Sequence, residues 1–254
     1  MKDKNMVTGI IRLILLFTIT IIHILRFIVV GIFCGFTVNH AACSTMAWCR
    51  ALVKYLNITV NMHGALPSQG ALFVSNHRSY IDIAVIGQYF PCTFLAKKEL
   101  ANWPLLGLAA KLAKVIFVDR ENTESRKKSR LAISHTLKQG ISVVVFPEGT
   151  SYAGPGILPF KPGTFELAAN NTIPVVPVAI NYDENNDAWV GDDTFIRHFV
   201  QTFSKKTVSV TISFGPIIQD TTPQTILYSS QEWIEHTLPR KDKFLIQEAI
   251  GGTL

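Results

Sequence analysis

The stretch Ala71-Leu72-Phe73-Val74-Ser75-Asn76-His77-Arg78-Ser79-Tyr80-Ile81-Asp82-Ile83-Ala84-Val85-Ile86 decides how the chain is read. Ala71 to Val74 is an apolar run of the length of one buried strand. Ile83 to Ile86 is a second apolar run that reads as a helix or another strand. Between them stand a histidine and an aspartate, His77 and Asp82, at a strand-to-helix junction. Five residues of regular helix turn through about 500°, which leaves two such side chains about 140° apart. The pair can meet only if His77 lies in the turn before the helix and Asp82 one turn into it.

The residue types suit a base and its orienting partner. An imidazole titrates near pH 6.5, so at neutral pH it can take a proton from an alcohol and return it. A carboxylate on Nδ1 sets the tautomer and stabilises the imidazolium as it forms. No serine or cysteine sits in a nucleophile-elbow pattern, since Gly149-Thr150-Ser151-Tyr152-Ala153-Gly154 has the wrong spacing for Gly-x-Ser-x-Gly. A His–Asp pair without a nucleophile of its own points to a substrate that supplies one. The plain alternative is a histidine capping a helix and an aspartate paired with Arg78 or Lys97.

Outward from this stretch, short β-rich runs alternate with helical segments. Strands are predicted over Ile58–Met62, Ala71–Ser75, Thr93–Ala96, Val115–Val118, Ser142–Phe146, Val175–Asn181 and Val208–Phe214. Helices are predicted near Ile81–Tyr89, Pro104–Leu112, Thr123–Gln139 and Pro162–Asn170, with a last one from Gln224 to His236 and a loose tail beyond. That alternation predicts an α/β fold with a mixed, partly parallel sheet flanked by helices. Pro174 and Pro177 predict a sixth strand that is at an edge or begins late. The acidic, polar segment Asp183 to Asp193 reads as a surface loop. In open α/β sheets ligands bind beyond the carboxyl ends of the strands. His77, Lys97, Arg120 and Glu148 each fall within two residues of such an end, so four separate segments can converge on one rim.

About seventy residues after His77 comes Phe146-Pro147-Glu148-Gly149-Thr150. With N-H-x-x-x-x-D at Asn76 to Asp82, it resembles the glycerolipid acyltransferase family, whose members carry N-H-x-x-x-x-D and F-P-E-G-T. Ile116-Phe117-Val118-Asp119-Arg120 resembles that family's second block and Ile173-Pro174-Val175-Val176-Pro177-Val178 its fourth. The blocks occur in the family's order across Phe73 to Ile180.

The resemblance implies an N-terminal two-helix membrane element and a catalytic domain. The expected division is residues 1–57 as membrane-associating helices and 58–254 as the acyltransferase α/β domain. It also implies that Arg120, Glu148 and Gly149 bind the acyl acceptor. From the residues themselves, Arg120 offers a planar fork to an anionic head group and Lys97 a point charge, unless each is a surface ion pair with Glu99 or Asp119. Gly149 removes a side chain where substrate approaches backbone, Glu148 can accept from acceptor hydroxyls, and Thr150 completes the block. Many members that acylate lysophosphatidic acid have arginine directly after G-T, where this chain has Ser151; Lys161 is the candidate for the missing charge. Some relatives with a small hydroxyl residue there instead resemble acyltransferases of lyso-ornithine lipid or other lysolipids.

The expected reaction is direct transfer, with His77 and Asp82 catalytic. A lysolipid hydroxyl attacks the thioester of acyl-CoA or acyl-acyl carrier protein. With 1-acyl-sn-glycerol-3-phosphate the product is phosphatidic acid, in phospholipid biosynthesis; lyso-ornithine lipid is the alternative acceptor. A metal-dependent hydrolase built on His77, Asp82 and Glu148 lacks H-x-x-H or H-E-x-x-H support. A non-catalytic lipid-binding membrane protein leaves His77 and Asp82 at a strand end without a reason. No G-x-G-x-x-G after a strand and no Walker pattern occurs, so no cofactor and no metal is expected. Nucleic acid is a poor partner: Arg126, Lys127, Lys128 and Arg130 form a basic helix without an aromatic platform, better suited to anionic head groups or an acidic carrier.

Composition points to a membrane. The chain is 48% hydrophobic and only 17% charged, against about a quarter charged in soluble domains. Of the net charge of +6, residues 1–57 hold +5, six basic residues against Asp3 alone, so an anionic membrane surface is the expected partner of that end. The expected location is a membrane, on the cytoplasmic face of the inner (plasma) membrane. Met6 to about Val38 is apolar but interrupted by Arg12, His23 and Arg26, and Leu13 to Leu25 is shorter than the ~20 residues of a spanning helix. Asn5, Thr8, Arg12, His23 and Arg26 fall within about 40° of one helical line. A helix lying in the headgroup layer or dipping into the leaflet fits, and a tilted span with snorkelling arginines is the rival. A cleaved signal peptide is not expected, because no small-x-small site ends the apolar run before Phe33. Residues 40–57 form a predicted second helix, and Cys34, Cys43, Cys49 and Cys92 read as small buried hydrophobes.

Overall fold

The computed structural model describes residues 2–239 apart from Gln69 and Asp192. Two helices, α1 (Lys2–Cys34) and α2 (Val38–Tyr55), precede β1 (Ile58–His63), β2 (Leu72–Ser75), α3 (Ile81–Gly87) and β3 (Cys92–Lys97). A 3-10 turn at Lys98–Asn102 leads to α4 (Leu106–Leu112), β4 (Ile116–Val118), α5 (Thr123–Lys138), β5 (Ser142–Val145) and α6 (Gly163–Asn170). The chain continues through β6 (Val175–Tyr182), a 3-10 turn at Asn185–Asp187, α7 (Phe195–Thr202), β7 (Val208–Phe214) and α8 (Pro223–Thr237). Of the tail predicted beyond His236, everything from residue 240 on lies outside the described residues.

The seven strands form one sheet in the order β1-β7-β6-β2-β5-β3-β4. Every pairing is parallel except β6 with β7. The five strands from β6 to β4 therefore run together and end on one rim. Their side chains alternate between two cores. Phe73 and Val144 face α1, α2, α3 and α7, while Leu72, Val74, Val143 and Val145 face α5, α6 and α8. Covered on both faces, β2 and β5 are continuous buried runs, the expected pattern of a parallel sheet.

Of the two alternatives for the sixth strand, an edge position or a late start, the structure gives the late start. The strand begins after Pro174 and lies between β2 and β7 in the middle of the sheet. Pro177 is tolerated there because the β6–β7 ladder is interrupted beside it. Val175 bonds Ile218 in both directions, Pro177 only accepts from the Gly215 N–H, and regular pairing starts at Val178 with Phe214. The segment predicted as a surface loop, Asp183 to Asp193, is mostly exposed and, among its described residues, holds only the 3-10 turn, with one inward-facing stretch. Asp187 and Ala188 are buried, and α7 follows it, unpredicted because its apolar face comes from aromatic residues in only two turns.

At the N-terminus, two helices are found, and α1 packs its Leu16, Ile19 and Phe27 face inward. The opposite face is apolar and exposed from Ile11 and Ile14 through Ile22 and Val29 to Phe33. Of the polar line predicted on α1, Arg12 is turned to the protein. Arg12 reaches back to the carbonyls of Phe203, Lys205 and Lys206, just past the end of α7, where helix carbonyls lack partners. Gly9 sits against Val200, where a Cβ would meet the carbonyl oxygen at 2.3 Å. Gly31 gives room to the ring of Phe36 in the α1–α2 turn. Of the cysteines only Cys49 and Cys92 are fully buried; Cys43 is half-buried and Cys34 exposed, since it ends α1 on the uncovered side.

Candidate active site

Asn76 fixes where the critical turn begins. As β2 leaves the sheet, the Asn76 side chain takes over its pairing with β6. Its Nδ2 donates to the Ile180 carbonyl at 2.9 Å and its Oδ1 accepts from the Ile180 N–H at 2.8 Å. His77 follows, with its ring stacked on Phe146 at 4.1 Å between centroids. The His77 Nδ1–H donates to Asp82 Oδ2 at 2.8 Å. The sequence condition is met in a tighter form, because α3 begins at Ile81 and Asp82 is already in its first turn. Asp82 Oδ2 also accepts from the N–H groups of Arg78 at 2.7 Å and Ser79 at 3.0 Å, which anchor the turn. Asp82 is thus bound to the backbone of Arg78, not to its guanidinium. With Nδ1 carrying the proton, Nε2 is left as the acceptor.

Glu148 does not line the cavity in front of His77. Its Oε1 accepts from the His77 N–H at 2.7 Å and its Oε2 from the Leu158 N–H at 2.8 Å. Each oxygen thus carries one N–H, and the carboxylate ties together the His77 turn and the loop at Leu158. Burial pushes its carboxyl pKa up, against those two N–H donors and the positive field of Arg78.

Gly149 has φ of +82°, and a Cβ there would lie 2.9 Å from Lys161 Nζ and 3.2 Å from Arg120 Nη1. The missing side chain makes room for two cationic heads, and Arg120 Nη1 donates to the Gly149 carbonyl. Burial lowers the Arg120 pKa, with Glu99 acting the other way. Asp119 pairs with Lys98 at 2.5 Å, so it is not the partner of Lys97 or Arg120. Lys97 is exposed at the end of β3. Ser151, in place of the arginine, turns its hydroxyl to the Trp189 carbonyl.

These groups ring a cavity of about 410 Å³, within the ~300–1,000 Å³ of ligand pockets. His77, Lys97, Arg120, Gly149, Thr150 and Ser151 line it. Its walls extend into apolar surface at Trp103, Leu106 and Phe117, and to Phe27, Ala41 and Trp48 of the N-terminal helices. Asp82 and Glu148 stand behind this lining, and Lys161 approaches over Gly149. An imidazole base, cations and an apolar cavity in one place can activate a hydroxyl, hold an anion and accept hydrocarbon.

Three contributors were missed in the sequence. Arg78 is buried and gives its guanidinium to the carbonyls of Tyr152, Gly154 and Gly156, at 2.7, 3.2 and 2.7 Å. Trp189 donates its backbone N–H to the Arg78 carbonyl at 2.9 Å and lines the cavity. Tyr182, the last residue of β6, donates its hydroxyl to Asp82 Oδ1 at 2.7 Å. The strand-end rule that singled out His77 and Arg120 applies to Tyr182 as well.

Comparison with known proteins bears on the family and the fold. A family profile described as Acyltransferase matches residues 57–181. The lyso-ornithine lipid O-acyltransferase of Pseudomonas aeruginosa is 34% identical over 159 residues, 61% of each chain. The 1-acyl-sn-glycerol-3-phosphate acyltransferase alpha of Homo sapiens is 40% identical over 136 residues, 51% of this chain and 48% of that one. The chain thus spans about half to three-fifths of the length of these curated relatives. The crystal structure of the 1-acyl-sn-glycerophosphate acyltransferase PlsC from Thermotoga maritima superposes with a TM-score of 0.64. It covers 97% of this chain and 99% of that one at 17% identity, which shows the shared fold. By matched blocks, profile and curated relatives, the chain belongs to the glycerolipid acyltransferase family.

Proposed function

We propose that the protein is a membrane-associated lysolipid O-acyltransferase. It moves a fatty acyl group from acyl-CoA or acyl-acyl carrier protein to the free hydroxyl of 1-acyl-sn-glycerol-3-phosphate, making phosphatidic acid. The observation that carries this reading is the hydrogen-bonded His77–Asp82 pair beside Arg120 and Gly149 at an apolar cavity.

His77 Nε2 takes the proton of the acceptor hydroxyl as the oxygen attacks the thioester carbonyl carbon. The tetrahedral oxyanion collapses, the C–S bond breaks, and the thiolate takes up a proton. Asp82 holds the ring and stabilises the imidazolium. A base so placed contributes roughly 10²–10⁴-fold. Arg120, Lys161 and Lys97 hold the anionic head group over Gly149 and beside Thr150, and the cavity holds acyl chain. The exposed apolar face of α1 lies in the lipid interface, with residues 58–254 carrying the chemistry on the cytoplasmic side.

Lyso-ornithine lipid is the second acceptor to consider. Ser151 is turned to the Trp189 carbonyl and brings no positive charge, and relatives of both kinds are similar to this chain. Purified protein assayed for thioester consumption with lysophosphatidic acid and with lyso-ornithine lipid decides between them. Consumption with the former, lost in His77→Ala, supports the proposal. Consumption with neither, or activity retained in His77→Ala, overturns it.

A further inference from the structure

We propose that Tyr182 is a positioning residue of the acyl-transfer site, setting through Asp82 how strongly His77 acts as a base. The inference rests on the acyltransferase reading of His77 and Asp82. Its basis is a three-residue chain of hydrogen bonds from β6 to α3 to the turn after β2.

The two oxygens of Asp82 are used differently. Oδ2 carries His77 Nδ1–H and two backbone N–H groups. Oδ1 carries the Tyr182 hydroxyl, and no other donor to it is found among the described residues. Asp82 and Tyr182 are both buried, so this bond is formed away from water. Burial beside Asp82 pushes the Tyr182 phenol well up, which keeps it protonated and a donor at all working pH. A donor on Oδ1 draws negative charge away from Oδ2, the oxygen that faces the imidazole. The base that results is held in one tautomer yet gives its proton back readily.

Tyr182 is placed for this by the sheet. β6 lies next to β2 with Val178 opposite Ser75, and Asn76 bonds Ile180, so the end of β6 arrives beside the His77 turn. The segment that leaves β6 after Tyr182 carries Trp189 over the site.

Other charged groups surround the pair. Glu148 accepts from the His77 N–H, and Arg78 binds the loop carbonyls. Arg120 and Lys161 meet over Gly149. Behind Tyr182 are Tyr80 and Asp187, and Lys205 pairs with Asp187 at 2.6 Å. Tyr182→Phe leaves each of these in place and removes one hydroxyl.

The test is the pH dependence of kcat/KM for the lysolipid. In Tyr182→Phe the acid limb should move up by roughly half to one pH unit, because an undiluted carboxylate holds the imidazolium more tightly. The acceptor KM should stay within about twofold of wild type, since the hydroxyl touches no substrate. Site-specific 3-fluorotyrosine at position 182 is a stronger donor in the same shape and should move the limb down. It also serves if the phenylalanine variant folds poorly. The ¹⁵N shifts of His77 followed against pH read the same displacements without turnover. Displacements of opposite sign support the inference. Limbs that coincide with wild type, or that move together in one direction, overturn it whatever rate remains. His77→Ala run alongside separates the two claims: if it still turns over, the acyltransferase reading of the pair is what fails.

Discussion

The backbone N–H of His77 donates to Glu148 Oε1 at 2.7 Å across 71 residues of sequence. The two blocks that mark the family are therefore one mechanical unit, with the proposed base, His77, in one and its brace in the other. Because Leu158 is held by the second oxygen of the same carboxylate, the brace extends to the loop that leads to Lys161.

Glu148→Gln tests that brace. A glutamine must turn its NH₂ toward one of two N–H donors, leaving a buried donor unmet at a cost of about 1–3 kcal/mol. We expect kcat/KM to fall at least tenfold together with a lower thermal midpoint, by steady-state kinetics and calorimetry. Wild-type melting with only a raised acceptor KM indicates instead that Glu148 binds the acceptor directly.

Gly149→Ala should be more harmful than its single methyl suggests. The residue has φ of +82°, and the new Cβ would lie 2.9 Å from Lys161 Nζ. Left-handed backbone costs an alanine roughly 1–2 kcal/mol before any displacement of the lysine. Lys161→Met has no such strain and should raise the KM for an anionic acceptor several-fold, less so at high salt. A KM unaffected by Lys161→Met removes that residue from the head-group site.

The exposed face of α1 gives a cleaner test of membrane attachment than deleting the helix, because Leu16 and Ile19 belong to the core. Ile14 and Ile22 are 60% and 55% exposed. Ile14→Glu with Ile22→Glu should abolish sedimentation with anionic vesicles while leaving the thermal midpoint near wild type. Sedimentation equal to wild type counts against α1 as the attachment.

His198 predicts a pH-dependent stability. It is buried, donates Nε2–H to the Ala188 carbonyl at 3.2 Å and accepts the Tyr80 hydroxyl on Nδ1 at 3.1 Å. Burial lowers its pKa from the usual 6.5, opposed by Asp187 and Asp193. A base whose folded pKa is depressed contributes stability above its unfolded pKa, and that contribution is lost as pH falls from about 6.5 toward the lower folded value. The thermal midpoint should drop between pH 7 and pH 5, and His198→Gln should flatten that part of the curve. An unchanged slope in the variant assigns the acid sensitivity to other groups.

Much of this was legible in the chain itself. The strands at Leu72–Ser75 and Ser142–Val145 announce themselves as β-branched and apolar runs too short for helices. The helix at Thr123–Lys138 is bounded by Asn122, whose side chain accepts from the Ser125 N–H, a signal carried by four adjacent residues. The spacing of His77 and Asp82 carried its own geometric condition, and the structure meets it. The central place of β6 was not legible, since Pro177 argues locally for an edge and only the ladder gap at Gly215 makes it harmless. Nor was the work of Arg12, whose partners lie 191 to 194 positions away.

Sequence alone thus determined the strands, the helices other than α7, the His77 turn and the order of the four blocks. Those features follow from side-chain periodicity and local steric preference within a few residues. The tertiary structure decided what each polar group faces: Tyr182 on Asp82 across 100 residues, Glu148 on two loops, and the cations over Gly149. Such contacts exist only once parallel strands settle in register, because a hydrogen bond depends on ångström placement that spacing along a chain does not encode.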